Sequence, residues 1–134
     1  MRVTTHLTFR GECETAFTFY AGLFGGSIDS MLRYNETPLV KHTPTEWQDR
    51  IVHATLNLGG GFALAGVDIE PHLYRAPEGI RVLLAIDSVE EAERIFNALA
   101  EGGKVEMPLQ KTFWSRAFAM LTDRFGIPWE VHCA

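Results

Sequence analysis

The chain has 134 residues, 46% hydrophobic, 11% aromatic and 22% charged, the proportions of one globular domain. At this size roughly two-thirds of the unfolded surface is buried, so a core forms without disulfides or a structural metal. Twelve basic against seventeen acidic residues leave a net charge of −5, which argues against a nucleic-acid partner and the basic stripe it would need. No apolar run approaches the ~20 residues of a membrane span, and no charged-then-apolar leader opens the chain. Cys13 and Cys133, at opposite ends, make neither a CxxC pair nor a disulfide framework. A cytoplasmic protein acting on something small is the expectation.

Alternation over residues 3–10 predicts a first strand, with Val3, Thr5, Leu7 and Phe9 on one face and Thr4, His6 and Thr8 on the other. Gly11-Glu12-Cys13-Glu14 opens a helix whose apolar stripe is Ala16, Phe19, Tyr20 and Leu23, closed by Gly25-Gly26. A strand is expected at about 27–34. The polar stretch Asn35–Arg50 follows, with Pro38, Pro44 and Trp47, and is long for a structureless connection. Alternation returns over 51–58, where Val52, Ala54, Leu56 and Leu58 oppose His53, Thr55 and Asn57. Gly59-Gly60-Gly61 then turns into Phe62-Ala63-Leu64-Ala65 as a hairpin.

The second half repeats the order. A strand at 80–86 leads to Ser88 and Glu91, a capping box, and to a helix with the stripe Ala92, Ile95, Phe96 and Leu99 before Gly102-Gly103. Strands are expected near 103–108, 116–122 and 127–133. Ala16, Tyr20, Leu23 and Gly26 match Ala92, Phe96, Leu99 and Gly102 at a constant offset of 76 residues. The predicted fold is therefore α+β, two tandem βαβββ modules: module one 1–66, a linker 67–79 and module two 80–134. Neither module alone has enough core to be stable, so the two are expected to share one sheet or pack together as one 1–134 domain, with mixed, curved sheets, helices outside and a concave pocket inside.

The strand faces turned away from the helices carry the candidate chemistry: Thr4, His6 and Thr8; His53, Thr55 and Asn57; Arg81, Leu83 and Ala85; Glu130 and His132. His6, His53 and Glu130 are the right types for a two-histidine, one-carboxylate metal site. Against this, a lone strand histidine is ordinarily a hydrogen-bonded structural residue. An Arg81 guanidinium near Glu130 would compete with any cation and form an ion pair instead. Phe113 and Trp114, in the Lys111–Ser115 loop, together with Phe118, suggest a ligand wall or subunit contact, or else a small satellite core. Trp47 is a candidate cover for the pocket or contact for a partner chain. Weaker signals carry little: the 59–61 glycines precede no helix, Cys13 is flanked by Glu12 and Glu14, and no nucleophile elbow is present.

These stretches resemble a family. The tandem plan is similar to the vicinal-oxygen-chelate superfamily of glyoxalases, bleomycin-resistance proteins and extradiol dioxygenases. Phe17-Thr18-Phe19-Tyr20, Leu23-Phe24-Gly25-Gly26, Val52-His53-Ala54, Glu91-Ala92-Glu93-Arg94-Ile95-Phe96, Met107-Pro108-Leu109, Thr112-Phe113-Trp114 and Leu121–Trp129 resemble its PhnB-like branch, often labelled demethylubiquinone methyltransferase-like. Position by position, the resemblance implies that His6 matches a first-strand metal ligand and Glu130 the last-strand carboxylate. Arg81 and Leu64 stand where the other two ligands would be, so two of four survive. The label implies an adenosylmethionine site, yet no glycine-rich loop joins a strand to a helix.

Three functions remain in play. The first is a cytoplasmic homodimer that binds a small molecule in a pocket lined by His6, His53, Thr55, Arg81, Phe113, Trp114, Phe118 and Glu130, with no cofactor. Its modules would pair within a chain or be swapped across the dimer. The second is a lyase or isomerase in which His6 and Glu130 hold Zn²⁺, Ni²⁺, Mn²⁺ or Fe²⁺ as a Lewis acid. The third is a ligand-free oligomerisation scaffold.

Overall fold

Both helices form where the repeat places them, α1 over Cys13–Phe24 and α2 over Val89–Ala100, each 12 residues long and 76 residues apart. The computed structural model describes residues 1–134 and divides them into two compact units, Met1–Arg75 and Ala76–Ala134. In the first, strands β1 (Thr5–Phe9), β2 (Ser27–Arg33), β3 (Ile51–Gly59) and β4 (Phe62–Asp68) form a sheet in the order β1-β4-β3-β2. The second has β5 (Val82–Ala85), β6 (Lys104–Gln110), β7 (Ala117–Thr122) and β8 (Pro128–Cys133), in the order β5-β8-β7-β6. In each sheet the first strand pairs parallel to the last and the other pairs are antiparallel. The tandem βαβββ plan is thus the plan of the molecule. Neither helix is long and apolar enough to cross a membrane.

Each helix covers one face of its own sheet, but on α1 the buried stripe takes Phe17 in place of the expected Phe19, and Phe19 and, on α2, Phe96 are only half-buried. α1 buries Cys13, Ala16, Phe17, Tyr20 and Leu23 and stops at Gly25, whose φ of 72° is the left-handed conformation a glycine reaches without a Cβ clash. Phe17 meets Phe9 edge to face, with ring centroids 5.9 Å apart. A side chain at Gly66 of β4 would stand 2.8 Å from Phe17 Cζ, so the bare backbone there makes room for the ring. α2 buries Ala92, Ile95 and Leu99. Ala92 joins Ala117, Ala119, Val131 and Cys133 in a cluster that Val89 and Phe96 flank. Ser88 Oγ accepts from the Glu91 N–H at 3.2 Å as an N-cap. The return half of the predicted box is absent, because the Glu91 carboxylate is taken by Arg94 instead.

Segment 35–50 has local structure: short 3₁₀ turns at Tyr34–Glu36, Pro38–His42 and Thr45–Trp47. It is strapped to the start of α1. Arg33 pairs with Glu14 at 2.8 Å, and Arg50 Nη1 donates to the Gly11 carbonyl at 2.9 Å while its guanidinium lies 5.6 Å from the Trp47 ring centre. Trp47 is buried within the first unit, beside Gly11, where it contributes to packing. Asp68 ties this end of the unit together. Its Oδ1 accepts from the N–H groups of Gly11 (3.0 Å) and Cys13 (2.9 Å), and its Oδ2 from Ile51 (2.9 Å). The second unit has its own buried carboxylate, Asp123, which accepts from Phe125, Ile127 and the Trp129 indole N–H at 2.9, 3.0 and 2.8 Å. Buried carboxylates persist only when their oxygens are met in this way.

Candidate functional site

The second sheet turns one face to α2 and leaves the other open. On β8, Trp129, Val131 and Cys133 are buried, while Pro128, Glu130 and His132 alternate with them and are half-buried. Glu130 lies opposite Leu83 on β5 and Met120 on β7; His132 lies opposite Ala85 and Phe118. At the end of this open face is a cleft of about 640 Å³ whose walls include Arg81, Leu83, Glu106, Thr122, Pro128 and Glu130.

Arg81 is the fixed group in the cleft. Its Nη1 lies 3.3 Å from each of three acceptors, Glu106 Oε2 and the carbonyl oxygens of Leu121 and Trp129. Glu106 is itself held by the Thr122 hydroxyl, which donates to Oε1 at 2.9 Å. The expected Arg81–Glu130 pair does not form, and Glu106 takes Glu130's place. The cause is a register irregularity in β6 between Val105 and Met107, which sets Glu106 within reach of Arg81. Two consequences follow for the chemistry. The Arg81 Nε and Nη2 edge makes no hydrogen bond within the protein, and it is the edge that takes a carboxylate or phenolate side-on. Glu130 lines the same cleft without an ion-pair partner.

The other expected site residues separate into two groups. Phe113 is 98% exposed and Trp114 49% exposed, with ring centroids 4.7 Å apart. Trp114 meets the buried Phe118 at 5.4 Å, and Phe118 meets His132 at 6.4 Å, so edge-to-face contacts run from the β6–β7 loop down to β8. Beneath them Ser115 is buried, its hydroxyl 2.7 Å from the carbonyls of Ala117 and Cys133. His6, His53 and Thr55 belong to the first unit. His6 lies opposite Ala65 and Ala65 opposite Thr55, while His53 lies opposite Leu32. His6 and His53 are on strands separated by β4, about 10 Å across the sheet.

Neither unit fits a metal. No three histidine, cysteine or carboxylate side chains converge within one to hold an ion. A phosphate-bearing cofactor finds no free helix start. The Gly11 and Cys13 N–H groups are taken by Asp68, Ser88 caps α2, and Gly59, Gly60 and Gly61 (φ 82°, 61° and 83°) form the β3–β4 turn. The Cys13 thiol is pushed far up by burial and by the nearby Asp68 and Glu14 carboxylates, so it stays protonated and unreactive.

Sequence reasoning missed Glu106 and Asp68. Glu106 sits in a strand whose alternation is broken at that point. Asp68 falls in what reads as linker, although it is the last residue of β4. Asp123, two residues before Phe125 and followed by Gly126, had a legible turn signature.

Residues 1–132 match the model of a protein family described as 3-demethylubiquinone-9 3-methyltransferase. The protein YjdN of Escherichia coli K12 is 30% identical over 140 aligned positions, covering 98% of this chain and 95% of its own. Protein PA1353 of Pseudomonas aeruginosa is 44% identical, with a TM-score of 0.89 over 99% of this chain and 97% of that one. The PhnB protein of Bacillus cereus is 29% identical, with a TM-score of 0.84 over the whole of both chains. With the duplicated βαβββ plan, these likenesses show that the chain belongs to the PhnB-like family whose model is described as 3-demethylubiquinone-9 3-methyltransferase.

Proposed function

We propose that this chain is a cytoplasmic homodimer that binds a small molecule in the Arg81 cleft, without a metal and without methyl transfer. The observation that carries this reading is the state of Arg81. One nitrogen is anchored by Glu106 and two backbone carbonyls, and the opposite edge is left for a ligand. An arginine whose orientation is already fixed loses little further freedom when it receives an oxygen acid, so binding there is favoured. The cleft volume lies within the range of small-molecule sites, and Leu83, Ile80 and Pro128 supply apolar wall. The ligand is expected to present a carboxylate or phenolate to Arg81. In this reading, His6, His53 and Thr55 remain polar residues on the open face of the first sheet, and Phe113 and Trp114 serve as ligand wall or subunit contact.

Thermal melting with and without 4-hydroxybenzoate, for the native protein and for Arg81→Ala, tests the reading. Near-saturation at 100 times Kd stabilises the native protein by about 2.7 kcal/mol and leaves the variant unmoved. Sedimentation should give twice the chain mass. The reading is overturned if Arg81→Ala keeps the ligand-induced shift. It is also overturned if freshly purified protein holds near-stoichiometric divalent metal through dialysis, an outcome that would favour the lyase or isomerase alternative through His6 and Glu130.

A further inference from the structure

The cleft holds two opposite charges that do not neutralise each other. Arg81 is balanced by Glu106, and Glu130 has no counter-charge, nor has Glu78, which also lines the cleft. Arg81 immediately precedes β5, and Glu130 lies opposite Leu83 on the neighbouring strand, so the two residues stand one row apart on one face. Strand spacing and rise put their backbones about 8 Å apart. They are near enough for one small molecule to touch both, and yet no Arg81–Glu130 ion pair closes the gap.

An acid alone would satisfy Arg81 and leave Glu130 facing the ligand's negative charge. A cation alone would satisfy Glu130 and leave the free edge of Arg81 unmet. Either mismatch costs binding, because a partly desolvated charge without its partner is unfavourable. A molecule with both charges on adjacent carbons meets both requirements. The geometry points to a zwitterion of the α-amino acid type as the ligand class, its carboxylate on the Arg81 Nε–Nη2 edge and its ammonium on Glu130. Its apolar tail would run along Ile80 and Leu83, which are 69% and 54% exposed on the cleft wall. Glu106 and Thr122 are then positioning residues. They touch no ligand, but they determine which edge of Arg81 remains free.

This inference rests on the proposed binding role of the cleft and adds the ammonium requirement to it. Calorimetric titration of the native protein with L-leucine, N-acetyl-L-leucine and L-leucinamide, beside 4-hydroxybenzoate, separates the two. L-leucine should bind at least ten-fold tighter than either analogue carrying a single charge. Glu130→Gln should abolish its advantage over N-acetyl-L-leucine, and Arg81→Gln its advantage over L-leucinamide. If N-acetyl-L-leucine binds as well as L-leucine, the ammonium requirement is overturned while the cleft remains an acid-binding site. If L-leucinamide binds as well, the carboxylate requirement and the assigned role of Arg81 both fail. Absence of heat with all four probes overturns the binding role itself. The comparison of probes on the native protein decides the matter even where a variant fails to fold.

Discussion

The two units share one topology and differ in how they fill it. Gly66 on β4 pairs with Ala54, and Val131 on β8 pairs with Ala119, so glycine and valine hold equivalent places in the two sheets. Over the glycine, α1 lays Phe17; at the helical position 76 residues on, α2 has the exposed Glu93, and Val131 fills the space from below. Bulk has moved from helix to strand while each interior stays filled, which is how a duplicated fold diverges without opening a cavity. The buried aspartates diverge too. Asp68 gathers residues 57, 55 and 17 positions away, whereas Asp123 accepts from residues 2, 4 and 6 positions along its own turn.

That contrast sets the largest expected effect. Asp68→Ala leaves the N–H groups of Gly11, Cys13 and Ile51 without acceptors where water cannot easily enter, and should cost about 3–5 kcal/mol in denaturant unfolding. Asp123→Ala removes bonds that close within one local turn, and should cost about 2–3 kcal/mol. Equal losses would break the distinction between a long-range tie and a local one. Next in size is Gly66→Ala. Its Cβ would stand 2.8 Å from Phe17 Cζ and 3.1 Å from Cys13 Sγ, so about 1–3 kcal/mol of overpacking is expected. A Phe17→Leu background should return part of it, since the obstruction is one ring.

The last effect appears only in alkali and belongs to the first unit. Burial, and secondarily Asp68 and Glu14, raises the Cys13 pKa; burial, and secondarily Asp68, raises that of Tyr34. Both groups therefore hold their protons more tightly folded than unfolded. Their contribution is complete below the unfolded values, about 8.5 for a thiol and about 10 for a phenol, and declines as pH rises past them. Melting temperature measured from pH 8 to pH 11 should fall, and fall less in Cys13→Ala relative to that variant's own value at pH 8.

The helices, strand order and duplication were legible because they follow from apolar spacing, which survives in a single sequence. β5 proved shorter than 80–86, and β4 runs on to Asp68, since strand ends depend on pairing partners rather than on pattern. Arg81 and Glu130 were readable as members of one polar face. Their relationship was not, because it depends on Glu106, and a bulge leaves no mark in alternation beyond its interruption. Phe118 was read as a ligand contact and is 7% exposed, screened by Trp114, a burial decided by a loop of no regular period.

Asp68 also bears on time. Its three bonds can close only after β4 has returned beside β1 and the 34–50 segment has led the chain back to Ile51. Contacts that form after the folding barrier has been crossed govern how long the native state lasts and have little influence on how fast it is reached. If the Asp68 bonds close after that barrier, Asp68→Ala speeds unfolding and leaves the refolding rate unchanged.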